Sequence, residues 1–416
     1  DGNAVLGVSD VVVLAGGSTA TDVVYIATGD RDGGSMHSLS GGQSNDNNSI
    51  GVLKSTDGGS TWSTTGLVYT TSQKRTVNRL LVDPNTSTTL FAATSAGVYK
   101  TTDGGVTWSN QLTSTQFISM EFKPGTPATM YGATRGGTIY RSTDSGASWT
   151  SITSTGGSRV QLAVSADDAT VVYAVANGSG LDGIYKSTDS GASYTKIFDG
   201  SVSGNNLLGY ECDGTGSATQ GSYDLAIAAD PTDANTLYVG GINTWKSTNG
   251  GTSWSINSIW SSGNYPTCGV PEVHADKHFL GFQNGTSTLY EGNDGGIYKT
   301  SDGGTTWTDK SSNMVISQLY RLGVSQTSSG SIIGGLQDNG SKYLSSGTWS
   351  DVTGGDGMEC AIDPTTANTQ YASYVYGTMY RTTDKWSNRT TIRATGTSST
   401  SAWVTPYAIY PNSNTT

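Results

Sequence analysis

Cysteine, proline and charge are all scarce in this chain, and clustered basic residues are missing. Its 416 residues include 3 Cys and 9 Pro, and 13% are charged. Three cysteines with no Cys-x-x-Cys spacing argue against a zinc framework and fit one disulfide in an oxidising compartment. The formal net charge is −11, with Lys and Arg dispersed. Nucleic acid is therefore excluded as a partner, because phosphate binding needs grouped cations. A neutral polysaccharide or a cation is easier to accommodate. No apolar run approaches the roughly 20 residues of a membrane-crossing helix, and no leader pattern opens the chain, so its start reads as a mature or trimmed end.

What is abundant is glycine, with 57 residues, and one stretch that keeps returning. Its clearest copy is Gly51-Val-Leu-Lys-Ser-Thr-Asp57-Gly58-Gly59-Ser-Thr-Trp62. The first half alternates like a strand, Thr-Asp-Gly-Gly is turn chemistry, and Ser-Thr-Trp opens a second strand, so the copy predicts a β-hairpin. The turn acid or amide recurs at Asp57, Asp103, Asp144, Asp189, Asn249 and Asp302, with a decayed copy at Asp384. A further unit, without the acid, lies between Ser341 and Trp349. A strand-rich repeat of roughly 40 to 50 residues predicts an all-β protein, a β-propeller with one four-stranded antiparallel blade per repeat and about eight visible blades. The turn aspartates are expected to accept N–H bonds within their own loops, and Trp62 and its equivalents to pack between blades. These acids are read as structural.

The form Ser-x-Asp-x-Gly-x-x-Trp resembles the Asp-box, or BNR repeat, of sialidases, xyloglucanases and sortilin-type propellers, and the likeness covers nearly all of the chain. It implies the fold and is almost silent on function, since unrelated activities share it. The motifs Val-His274-Ala-Asp276, Gly-Asn-Asp294-Gly-Gly, Gly-Leu-Gln337-Asp338-Asn339-Gly and Gly-Gly-Asp356-Gly together resemble large secreted Bacteroidetes proteins exported by type IX secretion. An extracellular or outer-surface location is what that resemblance implies.

Within each repeat, strand 1 ends in a turn such as Asp83-Pro84 or Asp363-Pro364, strand 2 follows, and a loop leads to the hairpin of strands 3 and 4. Antiparallel alternation puts the 2–3 and 4–1 loops on one face. Most 2–3 loops are minimal. Those of blades 1, 6 and 7 are not, with Asp30, Asp32 and His37 in the first, Asp294 in the second, and Gln337, Asp338 and Asn339 in the third. The 4–1 loops carrying His274, Asp276 and His278 before blade 6, and Asp356 before blade 8, join the same face.

Two functions suit that face. One is a secreted or cell-surface recognition and adhesion module for carbohydrate or a surface protein, with His37, His274, Asp276, His278, Gln337 and Asn339 as contacts. Trp260 and Tyr265 add aromatic surface nearby. The alternative is a xyloglucanase-like glycoside hydrolase, which needs two carboxylates flanking the scissile bond. Resemblance to xyloglucanases implies a catalytic Asp after strand 2. Thr28-Gly29-Asp30-Arg31-Asp32-Gly33-Gly34 and Asn293-Asp294-Gly295-Gly296 match that place, leaving Asp30 or Asp32 open for the role, with Asp294, Asp338 and Asp356 as further candidates.

No cofactor is required. His274, Asp276 and His278 alternate, so on an extended segment they project to one side, but chelation with His37 needs the segment to bend. Calcium on Asp30, Asp32 and loop carbonyls is the other metal candidate. Cys212 and Cys268 lie in the long connections before blades 5 and 6, which adjacent blades place side by side, so a Cys212–Cys268 disulfide is expected with Cys360 a buried small hydrophobe. Residues 1–401 read as blade repeats, and 402–416 as the first strand of a further repeat in a larger or tandem propeller.

Overall fold

A computed structural model describes residues 7–30, 48–314, 316–392 and 401–409. The fold is all-β, with eight four-stranded antiparallel sheets, each built from four strands consecutive in sequence. They are the blades of a β-propeller-type fold. The chain divides into two compact units, one ending at Ser311 with the first six blades and one starting at Ser312 with the last two.

In the first unit the strand that opens each blade lies beside the opening strand of the next. These strands are Val8–Leu14, Val77–Asp83, Phe117–Phe122, Arg159–Val164, Ala226–Asp230 and Lys277–Phe282. A blade has two faces, and alternate side chains of a strand serve one or the other. Leu80 therefore packs against blade 1 while Leu81 packs against blade 3. Five apolar clusters fill the contacts between consecutive blades here. A sixth joins the two blades of the second unit, with Cys360 buried in it.

Each repeat turn closes on its own acid. Asp103 Oδ1 accepts from the Thr101 hydroxyl at 2.7 Å and the Thr107 amide at 2.9 Å, and Oδ2 from the Thr107 hydroxyl at 2.6 Å. These donors, the Thr107 hydroxyl first, hold the carboxyl down at about 2. Gly104 and Gly105 follow at φ +70° and +92°, where a side chain is strained. Asn249 does the same work in blade 5, accepting from the Ser253 amide and donating to its hydroxyl. Lysines tie the turns to the preceding blade: Lys54 Nζ donates to Gly104 O at 3.0 Å while standing 5.1 Å from the centre of the Tyr25 ring.

One expectation is corrected. Trp108, Trp149, Trp254 and Trp307 pack onto the interblade clusters, but Trp62 is 38% exposed, with Val11 and Val13 of its blade exposed as well. Of the further strand expected over 402–416, residues 402–409 form no strand, and 410–416 lie outside the described residues. Residues 402–409 are held irregularly instead, with the Tyr407 hydroxyl donating to Glu359 O at 2.9 Å and Trp403 edge-on to Tyr376.

Candidate functional site

The first unit contains a recess of about 350 Å³ at the start of the opening strands. One register position supplies much of its lining. The third residue of five opening strands is Asp10, Arg79, Ser119, Gln161 and Phe279, and all five line the recess. Loops add Asp30, after strand 2 of blade 1, and Tyr223, before blade 5, while His278 comes from the start of blade 6. Four of the five are polar, Phe279 being apolar, and it is their shared register that turns all five to the recess.

The lining is electrostatically fixed. Arg79 reaches Glu121 Oε1 at 3.0 Å and Asp10 Oδ2 at 3.5 Å, and Asp10 Oδ2 also accepts from the Leu80 amide at 2.8 Å. Burial pulls the guanidinium downward, but the charges of Asp10 and Glu121 outweigh it and hold Arg79 above its ordinary range. Glu121 is raised, chiefly by burial, against the opposing pull of Arg79. Gln161 Nε2 is buried in this wall without a hydrogen-bond partner.

At one side of the recess His278 Nε2 lies 2.9 Å from Asp294 Oδ1, and the Tyr223 hydroxyl donates to Asp294 Oδ2 at 2.8 Å. The Tyr223 and His278 rings meet edge to face, 4.6 Å between centres. Behind them Gln220 Nε2 donates to Asp276 Oδ1 at 3.0 Å. Asp276 has φ +63°, a conformation that non-glycine residues seldom adopt. Burial raises its carboxyl, and the charge of Asp294 adds to the rise. Asp224 has no exposed surface and is raised well above the usual range, first by burial and then by the charge of Asp276.

Lys277, between Asp276 and His278, points into the protein. It has no exposed surface and donates to the carbonyls of Ile242, Val273 and His274. Its ammonium is lowered by burial, and Glu291, itself fully buried, stands 3.7 Å away. Glu291 accepts from Thr244 at 2.6 Å and Asn293 at 3.0 Å. This buried pair anchors the segment that carries Asp276 and His278.

The sequence candidates sort as follows. Asp30 and His278 share the recess, and His278 carries Asp294 with it. Asp276 does not line the recess, although its carboxylate lies within 4.8 Å of that of Asp294, and the alternating extended segment expected for 274–278 does not form. The chain turns at Asp276 and the strand begins at Lys277, and His274 sets its ring against Gly295 with its Nδ1 3.3 Å from Ala275 O. Asp32 and His37 lie outside the described residues. In the second unit Gln337, Asp338, Asn339 and Asp356 form one turn: the Asp338 amide donates to Asp356 Oδ1 at 3.1 Å, Gln337 Nε2 to Asp338 Oδ1 at 2.9 Å, and Asn339 Nδ2 to Gln337 O at 3.1 Å.

Cys212 and Cys268 are disulfide-bonded, with Cα atoms 6.0 Å apart. Beside the bridge, Trp260 packs edge-on against both Tyr210 and Tyr265, so these rings hold the two connections together. Sequence reasoning missed Tyr223, Asp224, Gln220 and Arg159. The third-position residues were readable, since aligning the opening strands shows Asp, Arg, Ser and Gln where a packed strand wants an apolar residue.

The architecture is that of β-propeller proteins. No known protein family matches the chain, and no curated protein does. Solved structures do. The GH74 enzyme of Niastella koreensis matches with 19% identity and a TM-score of 0.45, over 92% of this chain and 65% of that one. The GH74 xyloglucanase of Xanthomonas campestris matches at 15% and 0.42, over 95% and 75%. YCF48 of Cyanidioschyzon merolae matches at 15% and 0.35, over 68% and 88%. The chain thus spans under two thirds of the length of the Niastella enzyme.

Proposed function

We propose that this chain is a secreted or cell-surface recognition module that holds carbohydrate in the recess of its first unit. The recess itself carries this reading. At about 350 Å³ it falls at the small end of ligand sites, which run from roughly 300 to 1,000 Å³. It sets fixed carboxylates, a guanidinium and an amide beside a ring, Phe279, that is 48% exposed. Sugars need that combination: paired donors and acceptors for hydroxyls, and an apolar ring for their C–H faces. The disulfide in the loops at this site fits export to an oxidising compartment.

The test is retention on a glycan array followed by calorimetry on any hit, with Phe279→Ala and Gln161→Ala beside the parent chain. Loss of retention in both variants supports the reading. Binding to surface proteins alone, unchanged by either substitution, replaces carbohydrate with a protein partner. The alternative, a xyloglucanase-like hydrolase, has one observation in its favour: Asp30 opens on the same recess as His278, which holds Asp294. Release of reducing ends that disappears in Asp30→Asn and Asp294→Asn would establish it.

A further inference from the structure

Among the described residues both carboxylate oxygens of Asp224 are buried without a hydrogen-bond partner, and the residue has no exposed surface. An ionised carboxylate in that state costs several kcal/mol unless something compensates it. The nearby permanent cations are committed elsewhere. Arg159 donates through one nitrogen to the carbonyls of Ser222 and Tyr223, both at 2.8 Å, and Lys277 is ringed by three carbonyls and Glu291. Among the described residues, four carboxylates, Asp224, Asp276, Asp294 and Glu291, thus gather around two permanent cations, Lys277 and Arg159, with the His278 imidazole on Asp294.

The geometry brings Asp224 to Asp276. The Asp224 backbone amide donates to Gln220 O at 3.0 Å, and Gln220 Nε2 donates to Asp276 Oδ1, so one residue touches both acids. Asp276 and Asp294 in turn bring carboxylate oxygens within 4.8 Å of each other. We propose that Asp224 and Asp276 bind a divalent, oxygen-seeking cation of the calcium class behind the recess wall. The donors are hard carboxylate oxygens, which suit calcium rather than zinc or copper. Such an ion balances the excess negative charge and supplies the partner that Asp224 lacks. It also pins the Gln220–Asp224 segment, and with it the Tyr223 hydroxyl on Asp294. This site is independent of what occupies the recess.

The experiment uses the whole chain stripped with chelator. Calcium should raise the melting temperature by several degrees. Terbium should bind in its place and luminesce through the nearby tyrosines, with calcium displacing it. Asp224→Asn keeps the shape of the side chain and should abolish both effects, and Asp276→Asn should weaken terbium binding at least tenfold. The proposal is overturned if the parent chain shows neither a calcium shift nor terbium luminescence. It is equally overturned if both effects survive in the two variants, or if zinc stabilises the chain while calcium is inert. Should Asp224→Asn fail to fold, the parent chain and Asp276→Asn still decide.

Discussion

His278 and Asp294 meet at 2.9 Å, imidazole nitrogen to carboxylate, although one is the second residue of the opening strand of blade 6 and the other follows the end of its second strand. The Tyr223 hydroxyl takes the other oxygen of the same carboxylate from a different blade. Replacing Tyr223 by Phe deletes one bond to a charged acceptor and leaves the ring packing on His278. The expected loss is about 1.5 to 3 kcal/mol of stability, read by urea denaturation, together with weaker retention of any glycan that the parent chain binds.

Asp224 gives a pH dependence of defined sign. Its carboxyl is raised in the folded chain above the ordinary value of 3.8, so the native state favours the protonated form. Below about pH 4 the acid is protonated in both states and adds no pH dependence, and as pH rises toward the folded-state value the unfolded chain releases a proton that the native state keeps, which destabilises the fold. In chelator, Asp224→Asn should therefore be more stable than the parent at neutral pH. The difference should shrink on acidification toward pH 4. Denaturation curves at four pH values check this, and a gap that widens on acidification would reverse the sign.

Repeat turns titrate in the opposite sense. Asp103 is held at about 2, so its contribution is present above the ordinary value of 3.8 and is lost as pH falls through about 2. Asn249 already occupies the equivalent place in blade 5. Asp103→Asn should accordingly lower the melting temperature less than Asp103→Ala, and the two variants should converge with the parent near pH 2.

The Cys212–Cys268 bridge spans 56 residues, a loop for which chain entropy gives about 4 kcal/mol of stabilisation. Changing both cysteines to serine should cost on that order. It should also raise proteolytic cutting in the connections before blades 5 and 6, mapped by mass spectrometry, since Trp260 and its tyrosine neighbours remain as their principal tie.

Much of the fold was legible because the repeat turn states its chemistry locally: an acid, two glycines, a hydroxyl and a tryptophan specify a hairpin whatever lies around them. Strand alternation was enough to expect the 2–3 and 4–1 loops on one face, and Asp30 and His278 line one recess. The site was legible in part. Asp276 and Asp294 carried a signal as acids in unusual loops, but the alternation of His274, Asp276 and His278 misled, because a left-handed residue at Asp276 turns the chain before the strand starts. Tyr223, Asp224 and Gln220 were invisible for a different reason. They sit in a long connection without periodicity, and their meaning comes from what a distant blade brings to them. Lys277 illustrates the same limit, since nothing local distinguishes a lysine on a wet surface from one enclosed by three carbonyls.

The apolar clusters of the first unit each join two consecutive blades, and none of the five spans three. Cohesion of this kind is that of a zipper, in which every tooth grips its neighbour and loosening travels inward from the ends. The recess is different, since it draws on blades 1 through 6 at once. A ligand seated there would act as a clasp across teeth that do not otherwise touch. Its arrival should register as a sharper thermal transition of the whole first unit, not merely as a firmer hold at the point of contact.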